Sequence, residues 1–166
     1  MRPSCFPRCG WHNDHGSLTG LVAGLFLDAR TGAPLPAPPD PTAGLYIRDR
    51  RGALHHVQFG PDELAFQIGE AAQIHSGGLL QATPHAVRGC APVSAVARHA
   101  SRESFAVFMQ PFWADRMAVP EGVDPAVAQA QAAIAALPPR VPPLASRWDN
   151  SMTFGQFTLK TIEKYH

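Results

Sequence analysis

The sequence predicts a mainly β protein, because short segments of alternating apolar residues are separated by turns that contain glycine or proline. Residues 45–48 and 55–59 flank a turn at 49–52 that ends in glycine, which predicts a β-hairpin. Residues 102–110 alternate between two faces in the same way. Successive antiparallel strands with hairpin turns favour a double-stranded β-helix, or jelly roll, followed by helices at the carboxyl end.

The segments between the hairpin and residue 110 can be assigned in chain order. Residues 17–27 form an apolar run with glycines at positions 16, 20 and 24, which is typical of a buried strand that bends. Five prolines in residues 33–41 predict an extended surface loop, because proline cannot donate a ladder hydrogen bond. Residues 64–68 alternate as a strand, 70–75 predict one helical turn, and 79–88 predict another strand with Pro84 at an edge or bulge.

Beyond Trp113 the apolar residues recur at helical spacing. Asp124 and Pro125 predict the N-cap and first residue of a helix that ends before Pro138. A proline-rich connector at 138–143 leads to a terminal helix, for which Thr153 and Gln156 form a capping-box pattern. We therefore divide the chain into a β core at residues 1–116 and a helical extension at residues 117–166.

The composition restricts the classes of partner. The 166 residues, 45% of them hydrophobic, allow one core, and the formal net charge is only +1. No run is rich in lysine or arginine, so nucleic acid is not an expected partner. No apolar run reaches transmembrane length and the first residues lack an apolar signal region, so we expect no membrane association and a cytoplasmic location. A small molecule is the expected partner.

His12 and Asp14 form an H-x-D pattern, and His85 follows far downstream. On an extended segment the side chains at positions i and i+2 point the same way, so both can reach one metal. The third ligand must then come from a neighbouring strand, for which His85 is the candidate. Two imidazoles and one carboxylate are the ligand set that holds non-haem iron(II) on one face, which leaves the other face open for a cosubstrate and dioxygen.

Arg102, Ser104 and Phe108 share one face of the predicted strand 102–110. A guanidinium presents a rigid fork that matches a carboxylate. Phe108 is the candidate for the wall of a substrate pocket because it shares the face of Arg102.

A small zinc site is the alternative metal centre. Cys5, Cys9, His12 and His15 have a C-x3-C-x2-H-x2-H spacing, and thiolates with imidazoles suit tetrahedral zinc. These four residues crowd into one short stretch, however, whereas structural zinc sites usually take their ligands from two separated segments. The three cysteines of the chain are an odd number without a secretory signal, which favours free thiols over a disulfide framework.

The order of these motifs resembles the isopenicillin N synthase-like branch of the iron(II)/2-oxoglutarate-dependent dioxygenases over residues 10–113. The matching segments are 10–21, 67–70 (Gln-Ile-Gly-Glu), the turn at 76–78, 82–87 and 101–104. The resemblance implies a jelly roll in which His12, Asp14 and His85 bind iron(II). It further implies that Arg102 and Ser104 bind the distal carboxylate of 2-oxoglutarate. Oxidation of a small organic substrate by dioxygen, with ascorbate as a candidate reductant, would be the reaction.

The chain departs from the resembled family at its start, where only eleven residues precede His12. Members of that family have helices and an opening strand in this region, so we expect the chain to correspond to the carboxyl-terminal part of the usual family chain. A missing strand would leave a sheet edge open, which predicts self-association. The alternative to an enzyme is an inactive or truncated jelly roll that binds without turnover.

Overall fold

The structure is a computed structural model, and it describes residues 7–92, 94–130, 138 and 140–165. Within these residues nine strands form three antiparallel sheets. The strands are β1 (Pro7–His12), β2 (Leu18–Val22), β3 (Leu25–Asp28), β4 (Gly44–Arg48), β5 (Leu54–Val57), β6 (Leu64–Ile68), β7 (His85–Arg88), β8 (Ala100–Glu103) and β9 (Ala106–Met109). The helices are α1 (Glu70–His75), α2 (Ala95–Arg98), α3 (Pro125–Gln129) and α4 (Phe154–Tyr165), with a 3-10 helix at Leu144–Ser146. The described chain is therefore mainly β, as predicted.

The strand order in the four-stranded sheet is β1-β7-β4-β5, in the three-stranded sheet β6-β2-β9, and in the two-stranded sheet β3-β8. The hairpin predicted at 45–59 is confirmed as β4 and β5, and Gly52 supplies the positive φ of +80° that its turn requires. The predicted strand at 64–68 and the helical turn at 70–75 are also confirmed, as β6 and α1.

Three strand predictions need correction. The apolar run 17–27 forms two strands, because the chain leaves the three-stranded sheet after β2 and joins the two-stranded sheet as β3. The segment 102–110 is divided in the same way into β8 and β9. Only two residues separate the strands at each break, so the sequence pattern runs through it although the sheet changes. The predicted strand 79–88 is a strand only at His85–Arg88, which begins directly after Pro84.

The carboxyl-terminal helices begin as their caps predict. The Asp124 side chain accepts a hydrogen bond of 2.9 Å from the Ala126 amide, with Pro125 as the first residue of α3. Helix α3 ends at Gln129, with Ala130 as its non-helical C-cap (ψ 83°), so the predicted helix does not continue unbroken to Pro138. Residues 131–137 lie outside the described residues. At α4 the capping box is formed in both directions, since Thr153 N donates to Gln156 Oε1 at 2.9 Å and Gln156 N donates to Thr153 Oγ1 at 3.3 Å.

The largest buried apolar cluster lies between α1 and the carboxyl-terminal segment. Trp148 is only 2% exposed, and its indole nitrogen donates to the Met117 carbonyl at 2.8 Å. The cluster contains side chains from both sides of residue 116, namely Ala71, Ile74, Met117, Ala128, Leu144, Trp148, Met152, Phe154 and Phe157. Helix α1 is thus anchored on the segment 117–165, which matters because α1 begins beside the H-x-D loop.

One face of the three-stranded sheet is apolar and exposed. Leu64 and Phe66 on β6 are 66% and 58% exposed, and Val107 on β9 is 47% exposed. An apolar face of this kind is a surface on which another element or chain can pack. Self-association stays a prediction. No helix in the described part of the chain is long and apolar enough to cross a bilayer.

Candidate metal centre

The antiparallel pairing of β1 with β7 brings the two predicted imidazole ligands together. His12 is the register partner of His85 across this pair, and their ring centroids are 4.2 Å apart. Strand β7 lies between β1 and β4, which holds His85 in the interior of the sheet. The neighbouring strand expected to supply the third ligand is therefore β7.

Asp14 lies in the loop that follows β1, and its carboxylate faces both rings. Its Oδ1 atom is 3.8 Å from His12 Nε2 and 3.7 Å from His85 Nε2. One ligand atom from each of the three residues lies within 4.8 Å of the others. This is the only group of three or more potential metal-ligating side chains in the part of the chain that the structure describes.

Backbone carbonyls fix the ring nitrogen that each histidine presents. His12 Nδ1 lies 2.8 Å from the Gly10 carbonyl, and His85 Nδ1 lies 3.0 Å from the Thr83 carbonyl. A carbonyl oxygen can only accept, so each Nδ1 is the protonated donor and each Nε2 keeps its lone pair for a metal. The pKa of His85 is lowered, first by burial and then by the neighbouring His12. A neutral imidazole is the form that binds a metal.

The Asp14 carboxylate is oriented by Thr19, whose hydroxyl donates to Oδ2 at 2.6 Å. Oδ1 thereby remains directed at the two imidazoles. The backbone of the same loop is bound by the first turn of α1, since Glu70 N donates to the Asp14 carbonyl at 2.8 Å. Gly69 permits this close approach, because a Cβ at that position would lie 2.1 Å from the Gly16 carbonyl oxygen.

His12, Asp14 and His85 line a cavity of about 700 Å³. Arg102 and Phe108 line the same cavity, although they lie on β8 and β9 rather than on one continuous strand. Ser104, in the break between these strands, also lines it. The three side chains predicted to share a strand face therefore share a cavity, even though the strand is interrupted.

Arg102 packs on Gly24, which lies in the two-residue connection between β2 and β3. A Cβ at Gly24 would lie only 2.6 Å from Arg102 Nε and 2.8 Å from Nη2. The guanidinium can lie here only because Gly24 has no side chain. Arg102 is partly buried there, whereas Phe108 is 61% exposed.

The remaining wall of the cavity is mostly apolar. It is built from side chains of β2 to β5 and of the proline-rich loop, including Leu21, Leu25, Phe26, Leu35, Pro36, Leu45, Val57 and Phe59. Gln67 is a polar residue in this wall. Its side-chain nitrogen is buried and has no hydrogen-bond partner among the described residues. A buried donor of this kind fits an acceptor atom on a ligand in the cavity.

Of the residues of the alternative zinc site, the described structure brings Cys9 beside His12 but not His15. His15 stacks on Phe154, with ring centroids 5.6 Å apart, and its pKa is lowered mainly by burial. Cys9 Sγ lies 3.6 Å from His12 Nδ1, the nitrogen that faces the Gly10 carbonyl. Burial and the nearby Asp14 raise the pKa of the Cys9 thiol, which disfavours the thiolate that zinc requires. Cys5 lies outside the described residues.

No protein-family model matches the chain, and no curated protein matches it. Among solved structures the chain is similar to a full-length protein of Neurospora crassa in complex with alpha-KG, with 18% identity and a TM-score of 0.57 over 99% of this chain and 39% of that one. It is similar to a 2OG-Fe(II) oxygenase family protein of Caulobacter crescentus, with 17% identity and a TM-score of 0.59 over 96% and 41% of the two chains.

The rice dioxygenase for auxin oxidation gives a like result, with 19% identity and a TM-score of 0.57 over 95% of this chain and 40% of that one. The chain shares the fold of these oxygenases. It spans about two fifths of the length of the solved structures it matches. Membership of the isopenicillin N synthase-like branch stays a prediction.

Two features of the site have no counterpart among the sequence predictions. The first is Thr19, which lies five residues after Asp14 on the inner face of β2. Its short distance from Asp14 in the sequence is the feature from which its contact with the carboxylate could have been predicted. Glu70 belongs to the Gln-Ile-Gly-Glu motif, from which no role for it follows. Its contacts involve residues more than fifty positions away, and no local pattern could have indicated them.

Proposed function

We propose that this chain is an iron(II)- and 2-oxoglutarate-dependent oxygenase of jelly-roll type that oxidises a small organic substrate. The observation that supports this most strongly is the convergence of His12 Nε2, Asp14 Oδ1 and His85 Nε2 in the lining of one cavity. The fold shared with the matched structures, one of them solved in complex with alpha-KG, supports the same class.

The donor set fits iron(II). Both histidines present an unprotonated Nε2, and Thr19 leaves one Asp14 oxygen free to bind. Bound iron with 2-oxoglutarate and dioxygen would supply the oxidising chemistry, giving succinate, carbon dioxide and the oxidised substrate. The protein's own contribution is to fix the three ligands, to bind both organic molecules and to exclude water.

In this proposal Arg102 pairs with the distal carboxylate of 2-oxoglutarate and Ser104 donates to the same group. A charge-assisted pair of this kind contributes about 1.5–3 kcal/mol. Gly24 keeps the guanidinium in place, and Gln67 donates its free amide hydrogen to an acceptor of the bound molecules. The position of these residues in one cavity supports the roles, and the variants Arg102→Met and Gly24→Ala test the part played by the guanidinium.

The lining of the cavity restricts the substrate. Among its described residues Arg102 is the one permanently cationic side chain and Asp14 the one carboxylate. Once these bind 2-oxoglutarate and iron, no formal charge remains in the described lining to pair with a charged substrate. An uncharged, largely apolar molecule in contact with Phe108 and the apolar wall fits best.

A binding protein without turnover is the second candidate. Phe108 is 61% exposed and Ser104 is exposed, so the Arg102 side of the cavity is open to water. A wet cavity weakens the electrostatic contacts on which catalysis depends. Such a protein would still bind metal and 2-oxoglutarate but would release little succinate.

Metal titration and a turnover assay test both candidates. Anaerobic addition of iron(II) followed by metal analysis should give about one equivalent per chain in the wild type. Asp14→Ala should abolish this uptake because it deletes the only anionic ligand, whereas Glu163→Ala, which removes an exposed carboxylate on α4, should not change it. Iron uptake that survives Asp14→Ala, or zinc bound through Cys5 and Cys9, would contradict the site.

The assay of 2-oxoglutarate decarboxylation, with ascorbate present, separates enzyme from binding protein. Succinate production above the Asp14→Ala background supports the oxygenase. Stoichiometric metal and 2-oxoglutarate binding without succinate, for every apolar substrate tried, would favour the second candidate.

A further inference from the structure

Asn13, which lies between His12 and Asp14, is held by hydrogen bonds of both its backbone and its side chain. Asn13 is only 3% exposed. Its backbone N–H donates to the Tyr165 hydroxyl at 3.1 Å, and its side-chain Nδ2 donates to Glu70 Oε1 at 3.0 Å. Glu70 opens α1, and Tyr165 is the last residue of α4. Elements from two distant parts of the chain therefore meet on Asn13.

Glu70 is held in turn by Arg147, and both side chains are completely buried. Arg147 Nη1 donates to Glu70 Oε2 at 2.7 Å, and Nη2 donates to Oε1. The other guanidinium hydrogens point to Thr161 Oγ1 at 3.0 Å and to the Pro142 carbonyl at 3.1 and 3.3 Å. All five N–H groups of the guanidinium thus have acceptors.

A buried ion pair of this kind contributes little to stability in itself, because desolvation of both charges offsets their attraction. The Glu70–Arg147 pair does fix geometry, since every guanidinium N–H has an acceptor and neither side chain can move without losing a hydrogen bond in a medium of low dielectric constant. Arg147 therefore holds the Glu70 side chain in one rotamer. The hydrogen bond from Asn13 Nδ2 to Glu70 Oε1 holds the Asn13 side chain in turn. Asn13 is joined to this pair only through Nδ2, because its Oδ1 atom is buried without a hydrogen-bond partner among the described residues.

We propose that Glu70, Arg147 and Tyr165 form a positioning network that sets the separation of His12 and Asp14 through Asn13 and so determines metal affinity. The proposal rests on the proposed function only in that the triad binds a metal. Glu70 acts on the loop twice, because its backbone N–H also donates to the Asp14 carbonyl at 2.8 Å. Arg147 and Tyr165 both lie in the predicted helical extension, for which the sequence predicts no functional role.

Two matched double variants test the route through Asn13. Glu70→Met with Arg147→Met removes both buried charges at similar volume, an exchange that often preserves folding, and leaves Asn13 Nδ2 without an acceptor. Glu70→Gln with Arg147→Met removes the same charges but keeps an oxygen that can accept from Asn13. Cobalt(II) is the probe, since its visible absorption reports both affinity and ligand geometry without any turnover.

The Met/Met variant should bind cobalt(II) about 10- to 100-fold more weakly than the wild type, as is usual when a contact that orients metal ligands is lost. The Gln/Met variant should recover most of this affinity. Wild-type affinity in the Met/Met variant would overturn the network, and equal loss in both variants would overturn the route through Asn13. The exposed pair of Arg30 with Asp28 supplies the control, because Arg30→Met should leave cobalt binding unchanged.

Tyr165→Phe decides the question if the double variants do not fold. It keeps the aromatic ring and removes only the hydroxyl that accepts from Asn13 N–H. We expect about tenfold weaker cobalt(II) binding and shifted absorption bands, with Tyr46→Phe as the control that loses a hydroxyl bound only to the Thr42 carbonyl. An unchanged affinity and spectrum in Tyr165→Phe would overturn the proposal. Failure of the wild type to bind cobalt(II) would instead overturn the proposed function with it.

Discussion

Two groups of residues line the cavity, here called its metal end and its arginine end, and they differ in how firmly the protein holds them. At the metal end (His12, Asp14, Thr19 and His85) each of the three ligand side chains has a hydrogen bond that fixes its orientation, to the Gly10 carbonyl, the Thr19 hydroxyl and the Thr83 carbonyl respectively. At the arginine end (Gly24, Arg102, Ser104 and Phe108) the side chains lie around the break between β8 and β9, and Ser104 and Phe108 are exposed. The metal end is therefore organised before any ligand binds, whereas we expect the arginine end to depend on its ligand for order.

The difference follows from which elements pack behind each end. Behind the metal end lies α1, whose first turn binds the Asp14 loop and whose apolar face belongs to the main buried cluster. Behind the arginine end lies the two-stranded sheet β3-β8, which has no other strand partner in the described structure. A change that loosens the contact of α1 with the loop should thus affect the metal end most.

Gly69→Ala should have the largest effect on the protein. The added Cβ would lie 2.1 Å from the Gly16 carbonyl oxygen and 3.1 Å from the Asp14 carbonyl oxygen, so backbone would have to move on both sides. We expect a loss of about 3 kcal/mol in the free energy of unfolding, at the upper end of overpacked sites, together with weaker metal binding. Urea denaturation of the metal-free protein measures the first quantity, and cobalt(II) titration measures the second.

Gly60→Ala is the matched control, because the nearest atom to its added Cβ would be Glu63 Oε2 at an ordinary 3.6 Å. Its stability should stay within about 1 kcal/mol of the wild type. Equal stability of both variants would show that α1 does not constrain the Asp14 loop.

Arg102→Met should weaken 2-oxoglutarate binding and leave the metal end intact. Loss of a charge-assisted hydrogen bond costs about 1.5–3 kcal/mol, which is about 10- to 150-fold in affinity. Calorimetric titration of 2-oxoglutarate into the manganese-substituted protein gives the affinity, and metal analysis gives the occupancy. If the affinity matches that of the wild type, Arg102 does not bind the distal carboxylate. If metal content falls as well, the two ends are not independent.

The fold was predictable where a local signal existed. The β4–β5 hairpin has a glycine turn, and the caps of α3 and α4 have their Asp124 and Thr153 signals, so each was found. The breaks inside residues 17–27 and 102–110 were missed, because a strand that changes sheets keeps the alternation of an unbroken one. Partner strands, not local residues, determine where a chain leaves a sheet.

The site was predictable in its ligands and not in their supports. His12 and Asp14 have the two-residue period of one strand face, and the third ligand had to lie on a neighbouring strand. The network of Asn13, Glu70 and Arg147 joins residues far apart in sequence and has no periodicity. Only the packing of the helical segment against α1 brings these residues together.

A smaller effect should appear as a loss of stability of the folded protein in acid. The pKa of His15 is lowered by burial against Phe154, so below the ordinary value of 6.5 the unfolded chain takes up a proton that the folded chain does not. Stability should therefore be full above pH 6.5 and fall as the pH drops below it. His15→Phe should reduce this dependence, as measured by urea denaturation at about pH 7.5 and about pH 5.5, on either side of the ordinary histidine pKa. His85, whose pKa is also lowered, should account for part of what remains.

Gly24→Ala should give the smallest change and the clearest separation of the two ends. The new Cβ would lie 2.6 Å from Arg102 Nε, and only the guanidinium of a flexible side chain has to move to relieve the contact. An off-rotamer side chain costs about 0.5–1.5 kcal/mol, so 2-oxoglutarate should bind about 2- to 10-fold more weakly while the protein unfolds at nearly the same urea concentration.

Gly20→Ala is the control, since its Cβ would lie at an ordinary 3.5 Å from Phe66. Cobalt(II) affinity should be unchanged in both variants, because none of the contacts that orient His12, Asp14 and His85 involves Gly24 or Arg102. A cobalt(II) affinity that falls in step with that for 2-oxoglutarate would mean that the cavity behaves as one unit, and that its two ends cannot be treated separately.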